Sequence, residues 1–119
     1  MKNLILLGLF TVLSAGLFAQ DGKVVREEFY ANGNLKLKFV EIAPDLVEAT
    51  YYFETGELYE TGYFKNEKLS GKWITYNINT ELQTIGYFAD SKKTGTWTHY
   101  KDGKVYQVVD YSTNQIAKK

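Results

Sequence analysis

Residues 62–76 read Gly-Tyr-Phe-Lys-Asn-Glu-Lys-Leu-Ser-Gly-Lys-Trp-Ile-Thr-Tyr, and residues 86–100 read Gly-Tyr-Phe-Ala-Asp-Ser-Lys-Lys-Thr-Gly-Thr-Trp-Thr-His-Tyr. The second stretch is the first moved along by 24 residues: Gly62-Tyr63-Phe64 returns as Gly86-Tyr87-Phe88, and Gly71-Lys72-Trp73 as Gly95-Thr96-Trp97. Tyr52, Tyr76 and Tyr100 keep the same interval, as do Leu58 with Leu82 and Lys68 with Lys92. Several separate matches in one register mark a tandem repeat, and a period of this length means stacked supersecondary units.

Each unit has the composition of a β-hairpin. Short runs rich in Tyr, Phe, Trp, Val, Ile and Thr are separated by Asn32-Gly33-Asn34, Thr55-Gly56-Glu57 and Asp102-Gly103-Lys104, where Gly supplies the positive φ of a tight turn. Strands are predicted near 24–30, 35–42, 47–53, 58–65, 72–78, 82–89, 96–100 and 104–111, with no helical period after residue 20. The longer connections, Asn66 to Gly71 and Asp90 to Gly95, are expected to join one hairpin to the next. In the third hairpin turn Thr80 stands where Gly56 does, with Asn79 beside it as the residue best suited to a left-handed conformation. Pro44, the single proline, falls between the first two hairpins and removes a ladder donor there.

The pattern Tyr-x-x-x-Gly-x-Leu, then Gly-Tyr-Phe-x-Asn/Asp, then Gly-x-Trp-x-x-Tyr resembles the bacterial variant of the MORN repeat. The resemblance covers about residues 24–111 and is clearest in the units starting at Val47, Gly71 and Gly95. Three departures stand out: Ala49 takes the Trp position of its unit, Val47 the Gly position, and Phe39 the place of the strand glycine. The resemblance implies an all-β fold, an elongated curved antiparallel sheet of about four hairpins, each burying its face against its neighbours. Eukaryotic members of the family are linked to membrane association, scaffolding and dimerisation, and some bacterial members are labelled antitoxins. The fold by itself implies no chemistry.

Outside the repeat, Lys2 precedes an apolar run from Leu4 to Leu13, and Ala19 ends the segment before Gln20-Asp21-Gly22. That order is expected of a secretory signal peptide over residues 1–19, with a repeat domain at 20–111 and a polar tail at 112–119. With Leu17 at the −3 position and Ala19 at −1, the small-x-small rule is only half met. Export to the periplasm or cell exterior follows. Lys2 leaves with the leader, so the balance of 14 Lys and Arg against 14 Asp and Glu becomes one base short, a net charge near −1. Neutral, interspersed charge gives no footprint for nucleic acid and disfavours contact with an anionic membrane. With 0 Cys there is no disulfide, so apolar and aromatic burial must carry the fold.

Catalysis finds little support. His99, the single histidine, stands where Thr75 and Tyr51 stand in sister units, and no Ser, Cys or acid recurs at a partnered spacing. One histidine cannot build a zinc site, no phosphate loop is visible, and neither metal nor cofactor is expected. The acids Glu54, Glu57, Glu60, Glu81, Asp90 and Asp102 recur because turns recur. Asn77-Ile78-Asn79-Thr80-Glu81 lacks the first acid and the mid-loop glycine of a calcium loop. The candidate binding residues are Trp73, Tyr76, Trp97 and Tyr100. Members of each pair are three apart, so one is expected to pack inward while the other can line a ladder of rings. Gly62, Gly71, Gly86 and Gly95 are expected to be structural, with Gly62 and Gly86 making room for the rings of Trp73 and Trp97. The function expected is a non-catalytic interaction or structural module, protein-binding or scaffolding, self-association included. The alternatives are glycan binding by a Trp/Tyr ladder and peripheral membrane contact.

Overall fold

The computed structural model describes residues 22–112; the expected leader and the tail beyond Ser112 lie outside the described residues. Eight strands follow one another: β1 (Lys23–Phe29), β2 (Leu35–Ala43), β3 (Leu46–Tyr52), β4 (Leu58–Lys65), β5 (Lys68–Tyr76), β6 (Leu82–Ala89), β7 (Lys92–Lys101) and β8 (Lys104–Asp110). Every strand is antiparallel to the one before it, and sheet order is sequence order. The fold is therefore all-β: one open sheet of successive hairpins, with β1 and β8 at its edges and no helix between any two strands. Extensive contact is confined to strands adjacent in sequence, as nearest-neighbour packing requires.

The turns alternate between two rims. One rim carries five-residue loops at 30–34, 53–57 and 77–81, each closed by a pair of backbone bonds such as Tyr30 N–H to Asn34 O (2.8 Å) and Gly33 N–H to Tyr30 O (2.9 Å). The fourth residue of each loop is left-handed: Gly33 (φ 94°), Gly56 (φ 102°) and Thr80 (φ 64°). Loop geometry fixes that position, so Thr80 takes the conformation rather than the neighbouring Asn79. On the other rim, Asn66-Glu67 and Asp90-Ser91 are two-residue turns with positive φ at both residues, the geometry that matches strand twist. The strands accordingly resume at Lys68 and Lys92 rather than near 72 and 96. Gly71 and Gly95 lie inside β5 and β7 instead of ending a connection.

Those glycines have a different task. Gly71 (φ 72°) and Gly95 (φ 67°) are left-handed residues within strands, and each sits at a break in register: between Thr61/Tyr63 of β4 against β5, and between Ile85/Tyr87 of β6 against β7. The extra residues form a bulge, which interrupts the ladder next to the strand pairs Tyr63/Ser70 and Tyr87/Thr94. The tryptophan two residues on supplies donors. Trp73 Nε1–H points to the carbonyls of Tyr63 (3.3 Å) and Ser70 (3.2 Å), and Trp97 Nε1–H to those of Tyr87 (3.0 Å) and Thr94 (3.2 Å). Each indole then lies flat on a strand glycine. A Cβ at Gly62 would stand 2.0 Å from Trp73 Cδ2, and one at Gly86 2.1 Å from Trp97 Cδ2. Glycine, bulge and indole form one unit, repeated twice.

A one-layer sheet has no second layer to bury against, so its core is a line of side chains on one face. Trp73 and Trp97 are buried, 6% and 8% exposed, as are Leu37 and Ala49. Along that face the rings meet edge to face: Phe64 with Trp73 at 5.7 Å, Trp73 with Phe88 at 5.8 Å, Phe88 with Trp97 at 5.2 Å and Trp97 with Tyr111 at 5.9 Å. Such contacts add to the roughly 1.5–3 kcal/mol that burial of each large apolar side chain contributes.

Candidate functional site

The four candidate aromatic residues divide into two pairs. Trp73 and Trp97 belong to the packed line. Tyr76 and Tyr100, three residues further on, each follow a break in register, at Thr75/Tyr76 and His99/Tyr100, and stay partly exposed, Tyr100 lining a hollow at the loop rim beside His99. The indoles are therefore packing rings, and any ladder open to a ligand must be built from tyrosines.

Beside the ring line runs a transverse row given by the register: Tyr51, Glu60, Thr75, Thr84, His99 and Gln107, one from each of β3 to β8. It is a polar row on the packed face. At one end Glu60 lies half-buried near Tyr51 and Tyr59, whose ring centroids are 6.0 Å apart. Burial lifts the Glu60 carboxyl above the usual carboxylate value. Burial, then the charge of Glu60, then Tyr59 raise the Tyr51 hydroxyl against an opposing pull from Arg26. At the other end His99 Nδ1 sits 3.1 Å from Thr84 Oγ1, and its ring lies 6.4 Å from that of Tyr106. His99, Tyr106, Gln83 and Asp102 line an open hollow of about 360 Å³ at the loop rim.

The row does not assemble an acid–base pair. Glu60 and His99 stand three strands apart, roughly 14 Å at the usual strand spacing, far beyond hydrogen-bond reach. Among the described residues no group of three or more His, Cys, Asp and Glu is placed to hold a metal ion. The acids of the turns are split between the two rims, Asp90 on one and Glu54, Glu57, Glu81 and Asp102 on the other, and do not converge. Asn77 Oδ1 is occupied by the loop itself, accepting from the N–H groups of Asn79 (2.9 Å) and Glu81 (3.1 Å).

A second hollow, of about 330 Å³, lies on the packed face at the opposite rim, over Phe39, Val47 and Phe64. Its sequence signal is Ala49 at the repeat's tryptophan position, which leaves the ring line one indole short.

The edges differ in kind. β1 carries a bulge at Val25 and the charges of Arg26, Glu27 and Glu28, the first and last of these ion-paired. Those are devices that blunt a strand edge. β8 has no charge between Lys104 and Asp110, and exposes Val105 (53%), Tyr106 (64%) and Val108 (57%).

The chain matches no family model and no curated protein. A solved structure titled "Crystal Structure of TarM" is similar to it, with a TM-score of 0.51 at 9% identity. The match covers 80% of this chain and 20% of TarM, so the chain spans a fifth of that protein's length. A likeness at that identity shows a shared fold alone: a run of antiparallel strands.

Proposed function

We propose that the chain is an exported, non-catalytic interaction module of the MORN-like hairpin-repeat kind, acting as a scaffold by pairing its free strand edge with a second copy. The observation that carries this reading is β8: seven residues long, unpaired on its outer side among the described residues, uncharged and exposed from Val105 to Val108. An edge of that kind is a template for strand addition. Antiparallel pairing of two β8 strands brings the Lys104 end of one to the Asp110 end of the other, whereas two β1 strands would oppose their central arginines. The glycan reading has less support, because the two indoles best suited to stacking on sugar rings are buried.

Sedimentation velocity on the chain from Gln20 onward tests the proposal. A dimer is expected at tens of micromolar or below, and Val105→Lys/Val108→Lys, which puts charge on the edge, should run as a monomer with an unchanged melt. A wild-type chain that stays monomeric at every concentration removes the edge-pairing reading. A turnover activity lost on His99→Thr, with the fold intact, removes the non-catalytic one.

A further inference from the structure

The line of rings on the packed face is interrupted at one place. From β8 towards β1 it runs Tyr111, Trp97, Phe88, Trp73, Phe64, each ring against the next. The next indole position is Ala49, which pairs with Gly62 as Trp73 pairs with Gly86. The next phenylalanine position, two residues beyond Phe39 as Phe64 is two beyond Gly62, is Glu41. Phe39, the strand partner of Ala49, has its ring 5.6 Å from that of Phe64, and Ala49 is 0% exposed. One ring thus does part of the work of two, and the space left over is the hollow of about 330 Å³. Its floor is Phe39, Val47 and Phe64; its rim carries Glu41, Asp45 and Glu67.

We infer that this hollow binds a small organic ammonium ion, an alkyl or arylalkyl amine, with its apolar body on the rings and its cationic head at the carboxylate rim. The lining offers apolar surface, ring faces and negative charge, and includes no lysine or arginine. Arg26 lies on the β1 side of Phe39, 5.4 Å from its ring, held by Glu28. The far end of the same face shows the mode of contact within the chain: Lys93 Nζ sits 4.7 Å from the Trp97 ring centroid and 5.2 Å from that of Tyr111. A cation over ring faces is attracted by their quadrupole, more strongly where water is partly excluded. The hollow of about 330 Å³ has room for a small ligand.

The test is a titration of amide chemical shifts with hexylammonium chloride, with hexanol, hexanoate and Nα-acetyl-lysine methylamide in parallel. Hexylammonium should give saturable shifts centred on Val47 and Phe64, with hexanol weaker by about tenfold, the contribution of a partly desolvated charge on rings and carboxylates. Hexanoate should give none. Glu41→Gln/Glu67→Gln, both at the rim, should bring hexylammonium down to the level of hexanol. Val47→Trp, which fills the floor, should abolish binding in a chain whose spectrum is otherwise folded. Equal binding of hexanol and hexylammonium, or no loss in the double glutamine variant, overturns the inference. Tighter binding of the lysine amide than of hexylammonium overturns the free-amine assignment in favour of a side chain borne by a partner.

Discussion

Trp73 covers Gly62 so closely that a single methyl group on the glycine would lie 2.0 Å from the indole Cδ2 and 2.1 Å from Cε2. The pair comes from adjacent strands, β4 and β5, at a place where the ladder is broken by the bulge at Gly71. The indole thus fills the gap that the bulge opens, and its N–H points to the carbonyls of Tyr63 and Ser70, the strand pair beside the break. Trp97, Gly86 and Gly95 repeat the arrangement one unit on.

The bulge glycines and the covered glycines should respond differently to the same change. A Cβ on Gly71 meets nothing closer than 3.5 Å, and one on Gly95 nothing closer than 3.7 Å, so space is not the difficulty. Their positive φ is. Gly71→Ala and Gly95→Ala should each cost about 1 kcal/mol, the left-handed penalty less the gain from a stiffer unfolded chain. Urea melts check it, and a cost of zero would mean that the bulge relaxes into an ordinary ladder.

Thr80 holds a left-handed conformation (φ 64°) that Gly33 and Gly56 hold in the sister loops. A β-branched residue there is strained. Thr80→Gly should stabilise the chain by roughly 0.5–1 kcal/mol, since relief of strain exceeds the added entropy of glycine in the unfolded chain. The midpoint of thermal unfolding should rise; a fall would show that the Thr80 side chain contributes more than its backbone costs.

Glu60 gives a pH dependence whose sign follows from burial. Its carboxyl titrates above the ordinary value of 4.5, so between that value and its raised one the folded chain holds more proton than the unfolded chain. Stability from this group is therefore present below the ordinary value and lost as pH rises through the raised one. Glu60→Gln should be more stable than wild type at neutral pH, and the advantage should shrink as pH falls below the ordinary carboxylate range. An advantage independent of pH would place its cause elsewhere than in the charge.

The architecture was legible because the repeat is spelled in residues with strong local preferences. Gly-Tyr-Phe and Gly-x-Trp at one period gave eight strands, their order and the indole-over-glycine packing. The hairpin junctions were harder. Asn66-Glu67 and Asp90-Ser91 take positive φ without glycine, so the sequence carries no glycine signal at these turns, and the nearest glycines, Gly71 and Gly95, belong to bulges. The hollow over Phe39 could not be read from Ala49 alone, because its lining comes from β1, β2, β3 and the turn after β4, which only the strand order brings together. His99 and Glu60 share a face and a row, but only the strand count between them shows that they cannot act together.

A double-mutant cycle on Gly62 and Trp73 shows whether the indole and the glycine are one fitted unit. Gly62→Ala should cost about 3 kcal/mol in the wild-type background, at the upper end for overpacking, because a buried ring must move. In a Trp73→Leu background the same change should cost no more than about 0.5 kcal/mol, leaving a coupling energy of about 2–3 kcal/mol, as for residues in direct contact. Equal costs of Gly62→Ala in the two backgrounds would contradict the account, since the glycine would then be answering to something other than the ring.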